Sequence, residues 1–511
     1  MSRGLSMCGT IRTLAVVWLF AAAAGGLPCP AAGATVRGVV FVDADADGRR
    51  DAGERGLAGV GVSDGETIVE TGPHGRFTLP AARDALVFAI APRGFSARVD
   101  ARGVPRFWTE AVPGPGEVAL PLVPADAGGR FDVLLVADPQ VRDRTDVDYF
   151  RRDIVEPLLG VRAAFALALG DIVYDAPDLY PELTALTSRL GMPFMFVPGN
   201  HDVDREAHDD RTSDRTWRRT FGPATRAFDR GAAHFLLIDD VIYPAPEGPS
   251  DYVGGLREDQ WRFVEADLAR VSRDRLVVVA LHIPLADMRE ADRLRFFRLL
   301  ALFARRLVVA GHWHIQRQYF WSREDGFPSD EPLHEFVAPT ASGSWWLGEP
   351  DEFGIPHATM RDGAPNGVTR LEIDGTAYRL RFLPARRPAG DQFHVALPGR
   401  VRAGRLAAQE VLVNVYAGSE RTRVTMRVDG GEPVALTRTE GRIDPLYAAL
   451  VEREAPRAPR RRRMPRPIPC PHLWRGTLPA GLDEGPHVLE VTVTDMFGRT
   501  DRKSVIVVVE P

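Results

Sequence analysis

Residues 131–140 read FDVLLVADPQ, an apolar run that breaks abruptly at Asp138-Pro139-Gln140. Four further runs share that form. FALAL (165–169) leads into Gly170-Asp171, FMFVP (194–198) into Gly199-Asn200-His201-Asp202, LVVVAL (276–281) into His282, and LVVA (307–310) into Gly311-His312-Trp313-His314, with Asp175 just beyond the second. Short runs rich in Val, Leu and Phe, without polar alternation, are expected to be strands buried on both faces. In open α/β sheets, ligands bind outside the carboxyl ends of the strands, so five strands that end in Asp, Asn, Gln or His are expected to converge on one crevice. A single strand-end Asp is commonly a turn or cap residue, and a single His beside an apolar run a satisfied core residue. The ordered set, rather than any member, carries the inference.

Between these runs, DVDYFRRDIVEPLLGV (146–161), LREDQWRFVEADLARV (256–271) and ADRLRFFRLLALFARRL (291–307) repeat apolar residues at helical spacing. Strands alternating with helices make residues 130–388 an α/β domain. Residues 35–125 differ: VRGVVFV, ETIVE, GRFTLP and ALVFAI are β-like runs broken by Gly, Pro and Asp, as in an all-β sandwich. The pattern returns over 389–511 with EVLVNVYA, TRVTMRVDG, HVLEVTVTD and KSVIVVVE, read as a second β-domain without helical segments between its strands. The Arg- and Pro-dense stretch 454–471, EAPRAPRRRRMPRPIPCP, interrupts it as a loop, either solvated or holding an anionic partner. Three domains accord with 511 residues, too many for one ordinary core.

The formal net charge of -5 supplies no broad basic field, which argues against a nucleic-acid scaffold and against a polybasic membrane face. At the N-terminus, Arg3 and Arg12 precede or flank an apolar stretch from Leu14 to Ala24, followed by Ala32-Gly33-Ala34. That pattern reads as a signal peptide over residues 1–34, with a mature chain starting near Thr35 and an exported, periplasmic or extracellular product. The alternative, an uncleaved anchor, suffers from an apolar core shorter than the roughly 20 residues that span a bilayer, so no stable membrane span is expected after cleavage. Lipid attachment at Cys29 is disfavoured by Pro28 directly before it. Cleavage removes Cys8 and Cys29 and leaves Cys470, either buried or open to intermolecular pairing, so no internal disulfide can form.

Two adjacent cations need a ligand that serves both, and a carboxylate with two oxygens does so, which assigns that place to Asp171. Asp138 and His314 then fall to the first ion, with the Gln140 amide oxygen near it, and Asn200, His282 and His312 to the second. A mixture of imidazole and oxygen donors suits two divalent ions among Mn, Fe, Zn and Mg. The order D-x-[HQ], G-D, G-N-H-D, a lone His and G-H-x-H resembles the calcineurin-like metallophosphoesterases over roughly Phe131 to Arg317. The flanking β-domains, with DGAPNG (362–367) before the second, are similar to a bacterial subgroup with N- and C-terminal modules.

The resemblance implies a β-sandwich core with flanking helices, a dinuclear metal centre, and hydrolysis of phosphate esters by a bridging hydroxide. It implies also that His201 protonates the leaving oxygen. Two departures stand out. Gln140 occupies a place where many members have His, and Tyr174 a place where some carry an Asp that orients the acid, so Asp175 and Asp202 are both open as partners of His201. Trp345 and Trp346, in SGSWW, either rim the crevice and stack on substrate or pack beneath the C-terminal domain.

A second metal signal lies in the first β-domain. Asp43, Asp45, Asp47 and Gly48, then Asp51 and Glu54, fit the calcium-loop pattern D-x-[DN]-x-[DN]-G-x₅-E, but without helices on either side. It reads as a structural calcium loop of an extracellular β-domain or as an acidic solvated turn. The rival to an exported phosphoesterase is a cell-envelope binding or scaffolding protein, whose β-domains grip a cell-envelope ligand and whose metals are structural; structural sites, however, are closed and need no acid nearby. Hydrolysis of a non-phosphate electrophile is a third class.

Overall fold

The strand-forming runs pair as their burial requires. The structure, a computed structural model, describes residues 34–81, 85–111, 116–246, 251–457 and 463–511. The expected signal segment up to residue 33, with Cys8 and Cys29, lies outside them, as does part of the Arg- and Pro-rich loop.

The core strands are β1 (Arg130–Val136), β2 (Phe165–Leu169), β3 (Phe194–Val197), β4 (Arg226–Arg230), β5 (Ala233–Leu237), β6 (Leu276–Ala280), β7 (Arg305–Ala310), β8 (Arg317–Trp321), β9 (Leu333–Val337), β10 (Gly367–Asp374) and β11 (Ala377–Pro384). They form two facing sheets, ordered β3-β2-β1-β10-β11 and β4-β5-β6-β7-β9-β8. β1, β2 and β3 pair in parallel, as do β5, β6, β7 and β9. Alternate side chains point to opposite faces. Val133, Leu135, Leu167, Phe235, Leu237, Val278 and Val309 fill the space between the sheets. Leu134, Val136 and Ala168 turn outward against Phe150, Ile154 and Trp217, and Leu236, Val277 and Val308 against Trp261, Val264 and Phe296. Burial on both faces is why these strands read as unbroken apolar runs. The core is a β-sandwich clad by helices, such as Glu258–Arg270 and Glu290–Leu300.

The N-terminal sandwich packs onto the second outer layer, where Phe88, Ile90 and Phe107 join the cluster around Trp261, and Ala91 bridges to Phe228 of β4. The C-terminal domain also has two sheets, built from Phe393 onward, around Val411, Val413, Met426, Trp474 and Leu489. Its expected freedom from helix is corrected: Pro445–Glu454 is helical, with Asp444 accepting from the Tyr447 N–H and Pro445 at the first helical position. The apolar periodicity there is weak because Leu446 is exposed and Tyr447 carries most of the packing. The stretch 291–307 is helical only to Leu300, since Arg305–Leu307 open β7. Cys470 is buried, its Sγ 3.4 Å from His472 Nδ1.

At the end of the sandwich away from the strand termini described below, His234 at the start of β5 lies between two carboxylates, Asp229 Oδ1 at 2.8 Å from Nδ1 and Asp267 Oδ2 at 2.8 Å from Nε2. Both ring nitrogens face acceptors, which suits the doubly protonated ring. Burial opposes that charge, but Asp267 and Asp229 lift the group to about 9. A folded value above the unfolded one near 6.5 stabilises fully below pH 6.5 and is lost as pH rises through 9. Denaturation curves of the wild type are expected to lose on the order of 3 kcal/mol between pH 6 and pH 10 that a His234→Gln chain does not lose. Equal pH slopes in the two chains would contradict the charged sandwich.

Candidate metal centre

Each motif residue stands two to four positions beyond the carboxyl end of a core strand: Asp138 and Gln140 after β1, Asp171 after β2, Asn200 after β3, His282 after β6, and His312 and His314 after β7. The two sheets join at this edge, where Ala137 bridges to Thr340 just beyond β9. Turning the chain so sharply costs backbone strain. Asp138 (φ 46°), Gln140 (φ 44°), Asp171 (φ 48°), His312 (φ 74°) and His314 (φ 54°) all occupy the left-handed region. Residues other than Gly avoid that region at a cost of about 1–3 kcal/mol each, and such strain persists where function holds it in place. Two glycines are required by close approach: a Cβ on Gly199 would strike Asp171, and one on Gly311 would strike Asp138.

At the centre, donor-poor atoms face one another. His282 Nδ1 lies 2.9 Å from the Leu169 carbonyl, which holds the ring proton on that nitrogen. Its Nε2 is therefore the nitrogen turned to the pocket, with Asn200 Oδ1 at 3.1 Å, Asp171 Oδ1 at 3.3 Å and His312 Nδ1 at 3.1 Å. The ligand atoms of Asp171, His282 and His312 all lie within 4.8 Å of one another. On the other side, His314 Nε2 is 3.7 Å from Asp138 Oδ1, and His314 Nδ1 is tied to the Gly343 carbonyl. Gln140 donates from Nε2 to Asp171 Oδ2 at 3.0 Å, and its Oε1 is buried without a partner. Buried acceptors without donors are costly, and cations resolve that cost.

The electrostatics agree. Burial pushes the Asp138 carboxyl up to about 8, with His282 opposing and the neighbouring Asp171 charge adding to the rise. Burial also lowers His312 to about 3 and His314 to about 4, which keeps both rings neutral and able to donate lone pairs. Burial opposes a charge on His282 too, yet Asp171 lifts it to about 10, so the pocket favours positive charge. The donor set fits divalent cations: imidazole, carboxylate and amide oxygen, arranged with too few protons to satisfy one another.

His201 sits at the mouth. Of its two candidate partners, Asp175 is the one in contact, with Oδ1 3.0 Å from His201 Nδ1. Arg205 reaches the same Asp175 oxygen at 2.7 Å and Asp251 at 2.8 Å, and the Tyr174 ring stacks on His201 at 4.1 Å. Asp202 turns inward instead. It accepts from the backbone N–H groups of Gly199 (2.9 Å), Ile172 (3.1 Å) and Val173 (3.3 Å) and from the Tyr180 hydroxyl (3.0 Å), tying the β2 and β3 turns together. Asp202→Ala leaves three buried N–H groups without acceptors at about 1–3 kcal/mol each, so we expect a loss of about 3–9 kcal/mol in urea unfolding of the metal-free chain. A loss under about 1 kcal/mol would show that Asp202 does not hold these turns.

Several residues here were not singled out in the sequence. Asp240 accepts from the His282 (3.0 Å) and Ile283 (2.9 Å) N–H groups, and burial raises its carboxyl to about 7. The signal was present: FLLIDD (235–240) has the same apolar-then-acidic form as the other strand ends. Arg205 and Tyr252, whose ring meets His312 edge-on at 6.0 Å, had no such signal. Neither reading of the tryptophan pair describes both residues. Trp345 stacks on His314 at 3.9 Å, whereas Trp346 is buried and donates to the Pro139 carbonyl at 2.9 Å, beneath the first motif. The C-terminal domain reaches the same loop, because Asp362 Oδ2 accepts from the Gln316 N–H at 2.7 Å and lies 3.0 Å from His472 Nε2.

Family models match three stretches of the chain. The calcineurin-like phosphoesterase model covers residues 131–316, the model for the N terminal of calcineurin-like phosphoesterase covers 44–119, and that for the C terminal covers 335–500, starting inside the core at β9. A protein of Psychrobacter sp. (strain PRwf-1) described as a probable cyclic nucleotide phosphodiesterase is 26% identical over 164 residues, 30% of this chain and 47% of that protein. The chain thus spans about half the length of this curated relative. Among solved structures, that of PhoD covers 75% of this chain and 90% of its own at 10% identity and a TM-score of 0.37. A purple acid phosphatase from yellow lupin (Lupinus luteus) seeds covers 69% and 66% at 12% identity and a TM-score of 0.36. Matched by three models of one family in succession, the chain belongs to the calcineurin-like phosphoesterases.

Proposed function

We propose that the chain is an exported phosphoesterase that works with two divalent cations, held by Asp138, His314 and Gln140 on one side and by Asn200, His282 and His312 on the other, with Asp171 between them. The observation that carries this reading is the convergence of His282 Nε2, Asn200 Oδ1, His312 Nδ1 and Asp171 Oδ1, four atoms each able to give a lone pair to a cation. When bound, such a pair of cations neutralises the phosphoryl oxygens and acidifies water at neutral pH.

The chain's own residues supply the rest. Asp175 accepts from His201 Nδ1–H, which fixes the ring and leaves Nε2 to carry the proton delivered to the departing oxygen. Arg205 holds Asp175 in place while its own charge is shared with Asp251. Tyr174 limits rotation of the His201 ring by stacking. Trp345 keeps His314 in orientation from one face, and the Gly343 carbonyl fixes its tautomer.

Export rests on the pattern of residues 1–34; no helix among the described residues is long and apolar enough to cross a membrane. N-terminal sequencing of the product recovered from a bacterial host should find a start near Thr35, and retention of Arg3 and Arg12 would count against a cleaved signal. Catalysis is tested by stripping the chain with a chelator and reloading it with Mn, Fe, Zn or Mg singly. Turnover of an aryl phosphate monoester, an aryl diester and a cyclic nucleotide is then followed, the last because the Psychrobacter relative is described as acting on one. At least one ester should be hydrolysed only after reloading. Hydrolysis unaffected by chelation would refute metal dependence.

A further inference from the structure

A second group of carboxylates converges far from the metal centre in sequence. The first strand of the N-terminal domain, Ala34–Val42, ends at the edge of its sheet, and the chain returns to it at once: the Val42 N–H donates to the Arg55 carbonyl at 3.0 Å and the Leu57 N–H to the Val40 carbonyl at 2.8 Å. Residues 43–54 are therefore a twelve-residue loop closed at its base, with Asp43 first and Glu54 last. Ligand oxygens of Asp43, Asp45 and Glu54 lie within 4.8 Å of one another, as do those of Asp45, Asp47 and Asp51.

Acidic clusters are common on surfaces without any ion, so convergence alone decides nothing. The deciding observation is Asp43, which is fully buried at 0% exposure. One of its oxygens, Oδ2, accepts from the Gly48 N–H at 3.0 Å, while Oδ1 is buried with no hydrogen-bond partner. A buried carboxylate oxygen facing other carboxylates without a donor is costly unless a cation meets it. Arg98 lies beside Gly48, but its Nε is itself without a partner and does not satisfy Oδ1. Burial pushes the Asp43 carboxyl up, and although the Gly48 N–H opposes this, Glu54, Asp45 and Asp47 add to it. Glu54 is already oriented: Oε1 accepts from the Ala44 N–H at 2.8 Å and Oε2 from the Asp51 N–H at 3.0 Å, which leaves each oxygen a further lone pair.

We propose that residues 43–54 bind one calcium ion through the carboxylates of Asp43, Asp45, Asp47 and Glu54, with Asp51 completing the shell directly or through water. Oxygen donors alone, with no imidazole or thiolate, select a hard cation, and the spacing of carboxylates at loop positions 1, 3, 5 and 12 matches calcium's need for many oxygens. A β-strand enters this loop and extended chain leaves it, so binding here locks a loop onto a sheet edge instead of opening a helix pair. The site is independent of the phosphoesterase centre and of its catalytic reading.

The test uses the full chain carrying Asp171→Asn, treated with a chelator and titrated with calcium alone by calorimetry. One calcium is expected to bind with a dissociation constant between about 10⁻⁶ and 10⁻³ M, and to raise the melting temperature. Adding Glu54→Gln, or Asp47→Asn at an exposed position, should weaken this binding at least tenfold and remove the calcium-dependent rise. These two substitutions carry the test without relying on the buried Asp43, where Asp43→Asn risks the fold. Calcium binding unchanged by both substitutions, or no binding by the parent chain up to about 10 mM, would overturn the proposal.

Discussion

Asp171→Asn is expected to lower turnover of any phosphate ester by at least about 10³-fold, about 4 kcal/mol in barrier, while the chain stays folded. Both expectations come from the contacts of one carboxylate. Asp171 Oδ1 faces His282 Nε2, its Oδ2 faces Gln140, and its charge acts on Asp138, His312 and His314. Removing that charge takes away the carboxylate placed to serve both halves of the site. The fold tolerates the change because Asn retains an acceptor for the His201 N–H, now 2.8 Å from Asp171 Oδ1. The new amide N–H₂ can meet Gln140 after a flip that brings its unpartnered Oε1 round. Steady-state kinetics beside melting curves in chelator separate the two effects. A stable Asp171→Asn chain with wild-type turnover would remove the basis of the proposed chemistry.

His201→Ala is expected to cost about 10²–10⁴-fold in turnover, with bound metal unchanged. The His201 ring leans on Asp175 and Tyr174 at the mouth, and only its backbone N–H touches Asp171. Its loss should therefore spare the cations. An acid acts on the departing oxygen, so the penalty is expected to be largest for alkyl esters, whose leaving groups need a proton, and smallest for nitrophenyl esters, whose leaving groups do not. Asp175→Asn should show the same leaving-group dependence in milder form. Loss of metal from a folded His201→Ala chain, or an equal penalty for both esters, would assign His201 another role.

How much of this was legible before any coordinates depends on how local the cause is. β2, β3, β6 and β7 are buried on both faces, so burial itself wrote apolar runs into the chain, and the strain-prone turns beyond them carry the Asp, Asn and His that these runs themselves lack. The joining of the two sheets had no such trace. Ala137 meets Thr340 across some two hundred positions through a two-sided packing that no short window reveals. Asp240 has its trace in FLLIDD, although its side chain grips backbone N–H groups rather than facing the pocket, whereas Arg205, a lone Arg after G-N-H-D, looks like solvated surface. The helix Pro445–Glu454 had its cap in plain sight at Asp444-Pro445, but its apolar face is too narrow to show periodicity. Tyr174 and Trp345 belong to a further class: their value lies in stacking on His201 and His314, and stacking partners leave no spacing rule in a sequence.

The most direct test of the central claim is an anomalous-scattering map from crystals of the full chain equilibrated with manganese. Two peaks about 3.5–4 Å apart, with Asp171 between them, Asp138 and His314 beside one and Asn200, His282 and His312 beside the other, are the expected result. A single peak, or manganese that leaves these side chains unligated, would contradict it.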